Sequence, residues 1–291
     1  MQASGWVEHR GHRVWYGVAS HCAGAGDGVP LLLVHGGPGV PHDYLRPLEA
    51  LADERRVVFY DQYGCGLSDR AEDQGTYTIE LFVDELARIR EELGLDRVHL
   101  FAHSYGGPLA LEYLLRHPQS GVISLILSNS FASVPGLVEG WEQRLGELMI
   151  EQADALRGGD AVSAEYHLAL GAFIERFIIP RTPPDLLAAA QAKMGGEVYA
   201  RMHGSSWFRA DGQWAGWDAT TRLHELNLPV LAISGARDQC VPGLSRTVAE
   251  GVPHGELEVL DAAHMPMWER TEEYLAKIRG FLARADTAHS S

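Results

Sequence analysis

Six short apolar runs punctuate the chain: Leu31–Val34, Val57–Tyr60, Val98–Ala102, Val122–Leu127, Pro229–Ser234 and Leu257–Leu260. Successive side chains of a strand point to opposite faces, so an unbroken apolar run predicts a strand covered on both sides. Stretches with helical spacing lie between and after them. Tyr44–Ala52 reads as one. Ile79–Leu93 carries Leu81, Phe82, Leu86, Ile89 and Leu93 on one side and stops at Gly94. Pro108–Arg116 and a closing helix, Glu269–Arg284, complete the set. Strands alternating with helices predict an α/β fold with a mostly parallel sheet flanked by helices on both faces.

One stretch breaks this alternation. From Phe131 to Asp218 no buried strand is apparent, and Val138–Leu156, Ser163–Phe177 and Pro184–Met194 read as helices. The expected organisation is therefore a core of residues 1–130 and 219–291, with residues 131–218 inserted as a helical cap after the Val122–Leu127 strand. Such an insertion belongs over the strand ends, where open α/β sheets bind ligands. The length of 291 residues suits one core with an insertion.

The segment Ala102-His103-Ser104-Tyr105-Gly106-Gly107 joins an apolar strand to a helix. That is the context of a nucleophile elbow, in which a serine on a tight turn projects its hydroxyl above the sheet. Ala102 and Gly106 are small at the two flanking positions where bulk would clash. A serine hydroxyl needs a base, and the base needs a carboxylate to hold its tautomer. In the α/β-hydrolase fold those partners follow in the order Ser, Asp, His, on loops after late strands. Asp238 follows Ile233-Ser234-Gly235, and His264 follows Val259-Leu260. The expected catalytic set is therefore Ser104, Asp238 and His264. Asp261 is too near His264 in sequence for the third role, Asp218 reads as a helix cap, and His103 adjoins the serine on the elbow. The backbone N–H groups of Tyr105 and of Gly37, in the loop His35-Gly36-Gly37-Pro38-Gly39, are the expected oxyanion donors. Gly36, Trp207 and Phe208 are candidates to touch substrate. Trp207 and Phe208 form an aromatic cluster with Trp214 and Trp217 that suits either cap packing or a pocket wall.

Other chemistries are excluded or disfavoured. The Gly-rich loop lacks the patterns of a phosphate cradle. No histidine pair has metal-binding spacing on a helix, so neither metal nor cofactor is expected. A formal net charge of −15 opposes nucleic acid and anionic lipid. Three cysteines without close spacing, Cys22, Cys65 and Cys240, do not form a disulfide framework. Met1–Gly11 lacks the basic start and apolar run of a signal peptide, and no apolar run approaches membrane-spanning length. The expectation is a cytoplasmic protein acting on a small molecule or short peptide; oligomeric state is not legible.

The stretches His35-Gly-Gly-Pro-Gly39, Tyr60-Asp-Gln-Tyr-Gly-Cys-Gly-Leu-Ser68 and His103-Ser-Tyr-Gly-Gly107 together resemble the proline iminopeptidase family, which includes tricorn-interacting aminopeptidases and amino-acid amidases. His42-Asp43-Tyr44 and His264-Met-Pro-Met-Trp-Glu269 resemble its amidase and tricorn-factor branch. The resemblance covers nearly the whole chain and is weakest in the insertion. It implies a helical cap, the same triad and oxyanion donors, and removal of an N-terminal amino acid or hydrolysis of an amino-acid amide through an acyl-enzyme. It also implies glutamates that hold the substrate's free α-amine. At those positions this chain aligns Trp207 and Gln239, with Glu197, Asp211 and Glu269 the acids nearest to standing in. The amide-cleaving expectation therefore has an alternative, an esterase or lactonase for an uncharged acyl group; a hydrolase-fold binding protein is more remote.

Overall fold

A computed structural model of the chain describes residues 1–20, 28–119, 121–180 and 184–288. Cys22 lies outside them; Cys65 and Cys240 are buried free thiols. Eight strands form one sheet: β1 (Ala3–His9), β2 (His12–Ala19), β3 (Gly28–Val34), β4 (Arg55–Tyr60), β5 (Val98–His103), β6 (Val122–Ser128), β7 (Val230–Gly235) and β8 (Gly255–Leu260). Their order is β1-β2-β4-β3-β5-β6-β7-β8. The β1–β2 and β2–β4 pairs are antiparallel and the others parallel. The α/β-hydrolase fold is thus present.

The strand order reverses at β3. The chain leaves β3 for β4 on one side and returns through β5 on the other, so the loops following β3 and β5 diverge from neighbouring positions. Such a switch point opens a crevice at the carboxyl ends of the strands. Val34 pairs with Ala102, which brings the Gly-rich loop beside Ser104.

The apolar runs divide by alternation. Leu32, Val34, Leu100 and Ala102 face a core shared with α1 (Ile79–Glu92) and α2 (Gly106–Arg116). Leu31, Leu33 and Phe101 face a second core. It is covered by a 3₁₀ helix over His42–Asp53 and by α10 (Thr271–Ala288), through Leu45, Leu48, Ile278 and Phe281. Full burial of each such side chain is worth about 1.5–3 kcal/mol, and a one-residue slip in any central strand would send each core's residues into the other, where their shapes do not fit.

Between β6 and β7 lie α3 (Val134–Leu145), α4 (Ile150–Gly158), α5 (Ala164–Phe177), α6 (Pro184–Ala192) and α7 (Gly196–Met202). Ser133 and Ser163 cap α3 and α5 by accepting the N–H groups of Gly136 and Tyr166. The helix expected over Val138–Leu156 is two helices, broken where Met149 is extended. The expected Tyr44–Ala52 helix is wound as 3₁₀, with Pro47 inside it; proline lacks the N–H that an α-helix interior needs. After β7 come α8 (Pro242–Gly251) and, past β8, the short α9 (Pro266–Glu269). No helix among the described residues is long and apolar enough to cross a membrane.

The β1–β2 hairpin was not among the expected strands. His9 pairs with His12 across a two-residue turn in which Arg10 and Gly11 both have positive φ, 48° and 85°. That is the turn geometry whose twist matches paired strands, and it is usually signalled by Asn-Gly or Asp-Gly. Arg-Gly inside a polar, mixed-charge segment is a weak signal for it.

Candidate active site

Ser104 sits between β5 and α2 with φ at 53°. A non-glycine residue there is strained, and the surroundings hold it. Its N–H donates to the Ser128 carbonyl, and its own carbonyl accepts from Gly107 N–H and Ser130 Oγ. Gly106 has no room for a side chain, since a Cβ would lie 2.3 Å from the Val34 carbonyl oxygen. A Cβ on Gly36 would lie 2.8 Å from the Ser104 Cβ. The turn is therefore clamped between β6 and the loop after β3.

The carboxylate and imidazole meet as the order of loops predicts. His264 Nδ1 lies 2.7 Å from Asp238 Oδ1. A carboxylate only accepts, so Nδ1 carries the proton and Nε2 is left as the basic nitrogen. Asp238 is fully buried and further accepts from Cys240 N–H at 2.9 Å and from Asn129 Nδ2 at 2.7 Å. Arg144, on α3, clamps the same loop by donating to the Asp238 and Ala236 carbonyls. His264 N–H and Gln239 N–H both reach the Phe177 carbonyl at the end of α5, so the inserted helices also fix these two loops. Asp238, Cys240 and His264 are the group of potential metal ligands among the described residues, and the carboxylate and imidazole already bond each other. Burial, and then the charge of Asp238, pushes the Cys240 thiol well up, so it is protonated at neutral pH.

His103 cannot replace His264. Its Nε2 donates to the His264 carbonyl at 3.0 Å, and its Nδ1 accepts from Tyr44 Oη at 3.1 Å. Burial, with His264 nearby, holds its pKa well below the ordinary value, so it stays neutral. Tyr44 in turn accepts the Gly36 N–H at 2.7 Å. One chain of hydrogen bonds thus joins the Gly-rich loop, the elbow and His264. Of the rival carboxylates, Asp261 is an exposed partner of Arg237 and Arg270, and Asp218 accepts from Thr220 N–H and Ser133 Oγ.

Ser104, His264, Gly37 and Tyr105 line one cavity of about 240 Å³. Among the described residues, neither the Gly37 nor the Tyr105 N–H has a protein partner. Trp207 and Gln239 also line this cavity, with Phe131, Trp141 and Ile178 among its apolar walls. Gly36 and Phe208 do not. Gly36 is turned to Tyr44, and Phe208 lies behind the wall against Trp141 and Phe173, with ring centroids 5.9 and 4.9 Å away. Asn129, Tyr44 and Arg144 had no distinctive sequence signal for their roles, because each acts through contacts made only on folding.

A family model for the alpha/beta hydrolase fold matches residues 29–169. A proline iminopeptidase of Lactobacillus delbrueckii subsp. bulgaricus is 36% identical over 276 residues, covering 90% of this chain and 92% of the relative. One from Heyndrickxia coagulans is 34% identical over 289 residues, covering 97% and 99%. The chain belongs to the proline iminopeptidase family. The crystal structure of a proline iminopeptidase from Mycobacterium smegmatis superposes with a TM-score of 0.90 at 30% identity, covering 99% of this chain and all of that one. No aspartate, glutamate, lysine or arginine lines the cavity among the described residues. Glu197 and Asp211 are exposed, Asp211 bonded to Ser205, and Glu269 accepts the Ala263 N–H and faces Arg237. An ammonium ion buried here would lack a counter-charge, which costs several kcal/mol against the ~0.5–2 kcal/mol an indole face returns.

Proposed function

We propose that this protein is a serine hydrolase that cleaves the amide bond of a small molecule or short peptide through an acyl-enzyme. Ser104 Oγ attacks the carbonyl while His264 Nε2 takes its proton and then delivers it to the leaving amine. Asp238 holds the imidazole and stabilises its charged form. Gly37 and Tyr105 N–H groups receive the oxyanion, each worth roughly 2.7–4 kcal/mol in the transition state. Water, activated by the same histidine, releases the acid. Residues 131–218 serve as the cap over this site. The observation that carries the reading is the 2.7 Å Asp238–His264 contact opening on the same cavity as the strained Ser104.

A fluorophosphonate probe should label the protein, and at least one of a panel of aminoacyl-p-nitroanilides and short-chain p-nitrophenyl esters should be turned over. Ser104→Ala should remove the labelling and lower kcat by roughly 10⁴-fold or more. A folded protein that neither labels nor turns over any of these refutes the proposal. The second reading, hydrolysis of an ester or lactone of an uncharged acyl group, is favoured by the lack of any acid in the cavity wall among the described residues. Efficient cleavage of Pro- or Ala-p-nitroanilide, with esters left intact, excludes it.

A further inference from the structure

Gln239 emerges from the loop that carries Asp238, on the side facing the cavity. Its backbone is fixed by donation to the Phe177 carbonyl, and its side-chain Oε1 accepts the indole N–H of Trp207 at 3.0 Å. An indole nitrogen only donates, so the amide orientation is not free: the oxygen must face Trp207, and the –NH₂ must face elsewhere. Among the described residues no hydrogen bond uses Gln239 Nε2. The cavity that holds Ser104 is therefore also lined by a neutral donor, within a wall of Phe131, Trp141, Ile178 and Trp207.

We propose that Gln239 is a specificity residue that donates to a carbonyl oxygen on the substrate's α-substituent, and that the acyl group accepted is an N-acylated amino acid. The proposal rests on the serine-hydrolase reading above and names its substrate class. An ammonium group offers only donors, which the Gln239 –NH₂ opposes, and among the described residues no lining carboxylate compensates. An N-acyl group offers an uncharged acceptor to that –NH₂ and an apolar end to the surrounding rings. A group without any polar atom would leave the amide dry and unpaired.

The test uses three benzyl esters that differ only at the α-carbon: N-acetyl-L-alanine benzyl ester, L-alanine benzyl ester and benzyl propionate, at pH 6.5, with benzyl alcohol release as readout. The N-acetyl ester should exceed the free-amine ester by at least tenfold in kcat/KM. Gln239→Met should lower the ratio of N-acetyl ester to propionate about tenfold, and Gln239→Glu should shift the ratio of free amine to N-acetyl at least tenfold upward. Preference of the wild-type protein for the free amine, or a ratio of N-acetyl ester to propionate unchanged within twofold in Gln239→Met, overturns the inference. Labelling of Ser104 by a fluorophosphonate without turnover of the N-acetyl ester overturns the substrate class alone. Absence of both overturns the hydrolase reading with it.

Discussion

Asn129 offers the sharpest separation of folding from catalysis. It directly follows β6 in the left-handed region, φ 53°, and its amide donates to Asp238 Oδ2 at 2.7 Å and to the Ala263 carbonyl at 3.2 Å. Its Oδ1 accepts from Ser128 Oγ at 2.8 Å. One side chain thus holds the acid and the residue preceding the base. Asn129→Gly keeps the backbone conformation, because glycine adopts positive φ freely, and removes only the amide. The lost bond to a charged oxygen is worth about 1.5–3 kcal/mol and each neutral bond about 0.5–1.5 kcal/mol. With partial replacement by water, a stability loss of roughly 2–4 kcal/mol is expected. Asp238 keeps its His264 contact but loses one of the anchors that aim it, so kcat should fall about 10–100-fold, or ~1.4–2.7 kcal/mol of transition-state stabilisation. The assay pairs urea denaturation with kcat on a p-nitrophenyl ester. The control is Leu86→Ala, a fully buried site on α1 away from the cavity, which should cost a similar ~2–5 kcal/mol and leave kcat within about twofold. Equal effects of the two variants on kcat, or Asn129→Gly within about twofold of wild type, would refute the positioning role.

Three further outcomes follow from the same geometry. Ser104→Gly should abolish turnover yet raise stability by about 0.5–1 kcal/mol in thermal unfolding, because it relieves the strained φ of 53°; a destabilised variant would mean the elbow is unstrained. Gly106→Ala should cost several kcal/mol or prevent folding, since its methyl would sit 2.3 Å from the Val34 carbonyl oxygen, and a soluble, fully active variant would contradict that contact. Burial lowers the folded-state pKa of His35, His103 and His203. As pH falls below 6.5 the unfolded chain binds protons that the folded chain refuses, so stability should be lost, with a limiting slope of about 1.4 kcal/mol per pH unit for each histidine. Buried Glu85, whose pKa is raised by desolvation, gains stability as pH falls through its folded value and works in the opposite sense. Denaturant unfolding at pH 6.5 and 5.5 measures the balance, and a protein more stable at pH 5.5 would count against the neutral-histidine core.

Much of the scaffold was legible because its signals are local. A strand covered on both faces is apolar at most positions, with buried exceptions such as His99 and Ser124 bonded to each other, so β4, β5, β6 and β7 announce themselves in four to six residues. The elbow is signalled by the small residues beside Ser104, although what leaves Gly106 no side chain is the Val34 carbonyl from a distant stretch of chain. The β1–β2 hairpin escaped notice because half of it faces solvent and its turn is Arg-Gly. The break between α3 and α4 escaped because Met149 fits a helical pattern as well as an extended one.

From the amino-acid order alone come the parallel α/β core, the serine on its strand-to-helix turn, and an acid and an imidazole each just past a late strand. Each depends on residue type and short-range spacing, which a linear chain records. Only the tertiary structure decided that Asn129 holds Asp238, that Tyr44 ties Gly36 to His103, that Phe208 stands behind the wall rather than in it, and that the cavity has no lining acid among the described residues. Those are meetings between residues from 59 to 109 positions apart in the two hydrogen-bonded cases, Tyr44 with His103 and Asn129 with Asp238. The charge of a pocket is likewise a property of which side chains converge, and sequence separation carries no record of convergence.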